Sequence, residues 1–391
     1  MPTLWIPSCL TLALVSCGGK VIGDGNGDAG HPDGSATVET SVSTDGRGST
    51  TSVSMDEGGS TTSVSMDEGG STTSVSLEGG NSETSTTEVT APAGCPAEAG
   101  LITVTVFAPG APTSGIAVDD TDVYWSGESP TNQSGSIWRS SKCGGTGTKV
   151  TSDSVGSLGA PVLDSTYVYW TSRFGPVMKA PKSGGTAVTL SNGNEPGPLA
   201  VDATNFYYGG NNGRLYEMPI VGAPKATLLT NVNHGVAVFG GIAVDATAVY
   251  WTASNYGNVV GKIPTGGGTP VALANPLSEP QGIALDATNV YFTTEAGEVV
   301  SVPKSGGASV TLASTPGTAL AIAVDGANIY WIASEPTDGA TSSVLKVPVG
   351  GGSVTTLASM QPTADAPLSV AVDETSVYWA TSNGVMKLTP K

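Results

Sequence analysis

The chain has 391 residues, with 54 Gly, 26 Pro and only 12% charged residues, and its 15 Lys+Arg stand against 33 Asp+Glu for a formal net charge of −18. So few charges and so much glycine exclude a helix-rich enzyme, whose exposed faces need Lys, Glu, Arg and Ala in quantity. No run of Lys/Arg exists to neutralise phosphates, so nucleic acid is not expected as a partner.

The first element is an apolar stretch over residues 1–16, about half the length a helix needs to span a bilayer, which predicts a signal peptide rather than a membrane span. It ends in Leu14-Val15-Ser16-Cys17, and no Lys or Arg precedes it. The tetrapeptide resembles the lipobox of bacterial lipoproteins. That resemblance implies cleavage before Cys17, diacylglycerol on its thiol and an acylated amine. The membrane would then be a partner through the lipid anchor, and the protein would reside outside the cytoplasm in the bacterial envelope, at the outer membrane or cell surface. Two or more acyl chains anchor stably, at about 0.8 kcal/mol per buried methylene. An ordinary secretory signal with a chance Cys is the alternative.

Residues 17–95 change composition to Ser, Thr, Gly, Asp and Glu. An eleven-residue unit, Ser49-Thr50-Thr51-Ser52-Val53-Ser54-Met55-Asp56-Glu57-Gly58-Gly59, recurs from Ser60 and, shortened, from Ser71. Gly pairs, β-branched Thr and the missing apolar stripe oppose a helix, so this segment reads as a disordered low-complexity tether. Residues 18–95 carry 12 acidic and 2 basic side chains, and self-repulsion should extend them. The Ser/Thr density would also permit O-glycosylation.

Residues 96–391 repeat with a period near 42. Seven times an Asp is followed five residues later by Tyr and six later by another aromatic. The aspartates are Asp119, Asp164, Asp202, Asp245, Asp286, Asp325 and Asp373; the first pair of aromatics is Tyr124-Trp125 and the last Tyr378-Trp379. Each unit holds four short apolar or β-branched runs, as in Gly241-Ile242-Ala243-Val244, Val249-Tyr250-Trp251-Thr252, Val259 to Ile263 and Thr269 to Ala274, punctuated by Asp, Pro and Gly. Four strands per unit, repeated seven times, predict an all-β fold, a seven-bladed β-propeller of four-stranded antiparallel blades. The Ile-Ala-Val strand suits the innermost position with both faces covered, and the two aromatics of the next strand should face opposite neighbouring blades. The last unit stops after its third strand, and Leu101 to Ala108 has the fourth-strand pattern. An amino-terminal strand should therefore complete the last blade and remove an open sheet edge.

Tyr169-Trp170-Thr171, Tyr250-Trp251-Thr252 and the Ile-Ala-Val-Asp segments resemble the YWTD repeats of low-density lipoprotein receptor-type propellers, and Gly-Ile-Ala-Val-Asp before an aromatic strand also resembles NHL repeats. The fourth YWTD residue is absent: Gly127, Ser172, Ala253 or Thr294 stands there. Both resemblances imply mostly binding modules, with sugar-lactone hydrolases and antibiotic lyases as exceptions on related propellers; fold alone does not choose.

Of the four cysteines, Cys9 would leave with the signal and Cys17 would be lipidated. Cys95 and Cys143 remain, and in an exported protein a residual pair favours a disulfide; two unpaired thiols are the alternative.

Hydrolase-elbow, phosphate-loop and zinc-protease motifs are missing, and no cofactor is expected. An Asp that ends a strand before a two-residue turn accepts backbone N–H groups as an Asx-turn, which is the reading preferred here over a ring of metal-binding carboxylates. Specific chemistry is sought instead in residues that do not repeat, on the face bearing the fourth-to-first and second-to-third strand loops. Glu195, His234 and Glu279 stand just ahead of three consecutive innermost strands and are the candidate catalytic or divalent-cation groups. Glu128, Arg173, Asn212, Asn255, Tyr256, Glu295, Glu335 and Asp338, from second-to-third loops, are the candidate ligand contacts. A solvated polar rim is the bland alternative for all of them. Three functions therefore stand: a tethered binding module for protein, peptide or glycan; a lactonase-like or lyase-like enzyme using a divalent metal; and a scaffold without a small-molecule site.

Overall fold

Each repeat folds as four antiparallel strands because its apolar and β-branched runs are too short for helices and are separated by Asp, Pro and Gly turns. The structure is a computed structural model. It describes residues 38–45, 48–55, 62–64, 75–77 and 103–391, except 110–112, 129–133, 152–153, 156–157, 173–174, 192–195, 211–212, 222–225, 233–237, 256, 335–340, 361–367 and 382–383. The chain divides into two units, Met1–Thr86 and Thr87–Lys391.

In the first unit, Val38–Asp45 pairs antiparallel with Gly48–Met55 in a register running from Val38↔Met55 to Asp45↔Gly48, and Thr62–Val64 pairs with Val75–Leu77. The sequence reading expects no regular structure here. The difference has a local cause: Thr and Val of the repeat favour extended backbone.

The second unit is the seven-bladed β-propeller. Blade 4 shows the pattern: Val238–Val244, Ala248–Ser254, Val259–Pro264 and Val271–Ala274 pair in sequence order, innermost to outermost. In blade 1 the outermost strand is split into Thr148–Lys149 and Ser154–Val155, both paired to the third. Blade 7 consists of Ser369–Val372, Val377–Thr381, Gly384–Thr389 and, as its fourth strand, Thr103–Pro109. Thr389 faces Thr103 and Gly384 faces Pro109, so the ring closes as the sequence predicts. Ile116 N–H also donates to Ser369 Oγ across that seam, at 3.4 Å.

The core is seven wedges, one between each pair of neighbouring blades, and the aromatic dipeptide fills two of them. Tyr207 of blade 3 packs with Trp251 of blade 4, Tyr291 of blade 5 with Trp331 of blade 6, and Tyr378 of blade 7 with Trp125 of blade 1. The Tyr thus faces the following blade and the Trp the preceding one. Each contributes about 1.5–3 kcal/mol by burial.

The innermost strands differ from expectation: residues 281–285 are half-buried rather than covered on both faces, because one face lines the central channel. Their glycines answer the crowding. A Cβ on Gly241 would lie 2.9 Å from Ile283 Cγ2, and one on Gly282 2.7 Å from the Leu320 carbonyl oxygen of the next blade. The residue after the aromatic pair ties adjacent inner strands together. Thr252 Oγ1 donates to the Gln281 carbonyl at 2.5 Å, and Thr293 Oγ1 to that of Leu320.

Candidate functional site

The strand order gives the disc two chemically different faces. One carries the first-to-second turns and the third-to-fourth turns; the other carries the remaining loops around the channel mouth.

On the turn face the repeated Asp and Tyr form one device. Asp202 Oδ1 accepts the N–H groups of Thr204 and Asn205, each at 2.7 Å, while Asp202 Oδ2 accepts the Tyr207 hydroxyl at 2.8 Å. The same bonds recur at Asp286, with Thr288, Asn289 and Tyr291 at 2.7, 2.7 and 2.6 Å. The five-residue spacing of Asp and Tyr is therefore a hydrogen-bond spacing, and the Asx-turn reading holds.

Lysines extend the device between blades. Lys304, just after the third strand of blade 5, reaches Asp245 Oδ2 of blade 4 at 2.8 Å. Lys182 reaches Asp119 at 2.9 Å, Lys142 reaches Asp373 at 2.7 Å and Lys391 reaches Asp325 at 2.5 Å, each one blade back. Ile220, Thr265 and Val349 occupy this position in blades 3, 4 and 6. Burial alone would raise the Asp245 carboxyl, but Lys304 and the N–H groups of Thr247 and Ala248 outweigh it and hold the carboxyl below the usual carboxylate range. Burial, reinforced by the Asp245 charge, pushes the Tyr250 hydroxyl up to about 12. Blade 3 departs from the pattern: Glu217, the buried charged side chain among the described residues, accepts from Asn205 Nδ2 at 3.0 Å and lies 3.4 Å from the Tyr207 hydroxyl.

A cavity of about 650 Å³ opens on this turn face between blades 6 and 7, lined by Asp325, Asn328, Tyr330, Asp373, Glu374 and Lys391 among others. Asp325 and Asp373 already hold Lys391 and Lys142, so the cavity reads as a gap between scaffold parts.

Of the residues singled out from sequence, Glu128, Asn255, Glu279 and Glu295 are described, and they stand at the channel-face ends of their strands. Glu279 is half-buried directly before the innermost strand Pro280–Leu285, and its carbonyl accepts the Glu295 N–H at 2.9 Å. Glu295 is exposed, and the turn it opens is pinned by Ala296 N–H donating to Ser278 Oγ at 2.9 Å. Blade 5 therefore brings these two acidic residues together at the channel mouth. Asn255 is exposed with φ 66°, a left-handed conformation that Asn tolerates better than most residues. Glu128 ends the strand Asp122–Glu128 opposite Gly135. Glu195, His234, Arg173, Asn212, Tyr256, Glu335 and Asp338 lie outside the described residues, as do Cys17 and Cys95. Among the described residues, no three His, Cys, Asp or Glu side chains come together in a way that could hold a metal ion. Cys143 is disulfide-bonded, and its partner lies among the cysteines outside the described residues. No helix among the described residues is long and apolar enough to cross a membrane.

Sequence reasoning missed the interblade lysines. Their signal was present, a Lys immediately after the third strand in four of the seven repeats, but its partner sits one repeat away.

No family model and no curated protein matches the chain in sequence. In structure the chain is similar to virginiamycin B lyase from Staphylococcus aureus, with a TM-score of 0.58 and 15% identity over 72% of this chain and 95% of that one. A catalytically inactive histidine-to-alanine variant of that lyase, solved with Quinupristin, gives 0.59 and 17% over 74% and 98%. The WD40 β-propeller domain of Doa1 gives 0.57 and 12% over 74% and 98%. At these identities the likeness shows the fold, a seven-bladed propeller shared by an enzyme and a WD40 domain alike.

Proposed function

We propose that the chain is a surface-tethered binding module whose propeller engages a protein, peptide or glycan through its channel face. One observation carries this reading: the repeated polar residues are consumed by the scaffold. The aspartates bond their own turns, six of the seven also bond their tyrosines, and four of them hold a lysine from the next blade. The chemistry left for a ligand is the non-repeated set at the opposite mouth. Leu14-Val15-Ser16-Cys17 and the acidic segment after it support lipid anchoring in a bacterial envelope, with Cys95 as the partner of Cys143. Two tests apply. Cys17→Ser should move the protein from the membrane fraction to the soluble one; an unchanged membrane fraction removes the anchor. The released full-length protein should then retain ligands from peptide and glycan arrays, and retention of none removes the binding reading.

A second reading, a lyase-like or lactonase-like enzyme using Glu195, His234 and Glu279 with a divalent cation, draws support from the lyase-like fold and from a histidine being the inactivating position in that relative. It predicts that divalent metal raises the melting temperature and that His234→Ala abolishes the rise. Metal-independent melting of both proteins would dismiss it.

A further inference from the structure

The described lysines are not spread evenly between the two faces of the propeller. All nine described lysines of residues 96–391 stand in third strands, in the turns after them, or in fourth strands. Lys142, Lys182, Lys304 and Lys391 are spent on aspartates of the turn face. Three others reach the next blade's backbone, as Lys262 Nζ does to the Lys304 carbonyl at 2.5 Å. At the other end, the fourth-to-first and second-to-third connections and the strand residues that abut them hold, among the described residues, the carboxylates Glu128, Glu279, Glu295 and Glu298 against Arg214. Of these carboxylates, Glu279, Glu295 and Glu298 all belong to blade 5 and are exposed or half-buried there.

Beside them are apolar side chains that the fold leaves uncovered. Leu277, two residues before Glu279, is fully exposed, and Val238, at the same end of the neighbouring blade 4, is 42% exposed. Apolar side chains set within a field of one sign mark an interaction surface, and the sign selects the partner: like charges facing each other are costly, and opposite charges speed encounter.

We propose that the channel face around blades 4 and 5 docks a cationic polypeptide segment, one carrying Lys or Arg together with an aliphatic side chain that seats against Leu277. This rests on the binding-module reading and names its partner class. The carboxylates steer and orient the segment, and Leu277 supplies a contact that salt does not screen.

The test compares two double variants of equal net charge in the full-length Cys17→Ser protein. Glu279→Gln/Glu295→Gln neutralises the channel face; Asp120→Asn/Glu374→Gln neutralises two exposed carboxylates of the turn face. The probe is a short Lys/Leu peptide, with its Glu/Leu counterpart as control, read by calorimetry or fluorescence anisotropy. Expected is binding of the cationic peptide alone, weakened roughly three- to tenfold by the channel-face pair, unchanged by the turn-face pair, and weakening with added salt. Leu277→Ser should also weaken binding, by a factor that does not change with salt. Equal effects of the two double variants, or equal binding of the Glu/Leu peptide, would overturn the proposal. Retention of only neutral or acidic array ligands would overturn the cationic partner and leave the binding-module reading intact, whereas retention of nothing would end both.

Discussion

Lys304→Met deletes one ammonium from the wedge between blades 4 and 5 and keeps the apolar stem. That ammonium lies 2.8 Å from Asp245 Oδ2 and 5.5 Å from the Tyr250 ring centroid, with side-chain exposures of 15% for Lys304 and 26% for Asp245. An exposed pair is worth about 0–1 kcal/mol, and breaking a buried one costs about 3–5 kcal/mol. This pair lies between those limits. Its carboxylate also keeps the Thr247 and Ala248 N–H groups at 2.8 and 3.0 Å and the Tyr250 hydroxyl at 3.1 Å. The expected loss is therefore about 1.5–2.5 kcal/mol, close to one charge-assisted hydrogen bond. Urea unfolding followed by tryptophan fluorescence reads it directly, and a cycle with Asp245→Asn should give a coupling of about 1 kcal/mol or more. The pH dependence has a definite sign. The Asp245 carboxyl is held below its unfolded value, so its contribution is present above about pH 4 and is lost as pH falls through the folded value. The gap between wild type and Lys304→Met should narrow as pH falls below about 4. A loss under about 0.5 kcal/mol at neutral pH, or a gap that acid does not narrow, would refute the view that these pairs lock neighbouring blades.

The complementary substitution is Thr265→Lys, which places an ammonium where blade 4 lacks one, opposite Asp202 and close to Glu217; a stability gain of about 1 kcal/mol is expected by urea midpoint. Gly261→Ala should cost about 1–3 kcal/mol by the same assay, because a Cβ there would lie 2.4 Å from Trp251 Cζ2. In alkali the sign reverses. Burial pushes the Tyr124, Tyr250 and Tyr291 hydroxyls up to about 12, with Asp119, Asp245 and Asp286 respectively adding to the effect. Their stabilisation is thus complete below about pH 10 and is lost as pH rises through the folded values, so urea midpoints measured between pH 8 and 11 should be flat at first and then fall.

The blades were legible in the sequence because their defining bonds are short-range. Asp245 to Tyr250 is five residues, and a motif of that length recurs visibly seven times. Ring closure was legible for a different reason: the last repeat is one strand short and residues 101–108 carry the missing pattern. The interblade locks were not found, because Lys304 and Asp245 are 59 residues apart and their partnership depends on how two repeats face each other. Inner-strand exposure was misjudged for a related reason: Ile-Ala-Val composition fits both a fully covered strand and one whose second face lines a narrow channel. At the channel mouth, sequence singled out Glu279 and Glu295 separately, and only the fold shows that one backbone hydrogen bond sets them side by side.

The pairing of Thr103–Pro109 with Gly384–Thr389 also sets a timetable for folding. Its strands are separated by nearly the whole propeller, so the loop that must close is the longest the domain contains, and contacts of such separation form slowly. Blades 1 to 6 can each assemble from contiguous chain as it emerges. Blade 7 has to wait for the strands of residues 369–389, and until they are made Thr103–Pro109 remains an unpaired edge able to add to another chain. Completion of the ring is therefore the step at which a nascent molecule stops being a hazard to its neighbours.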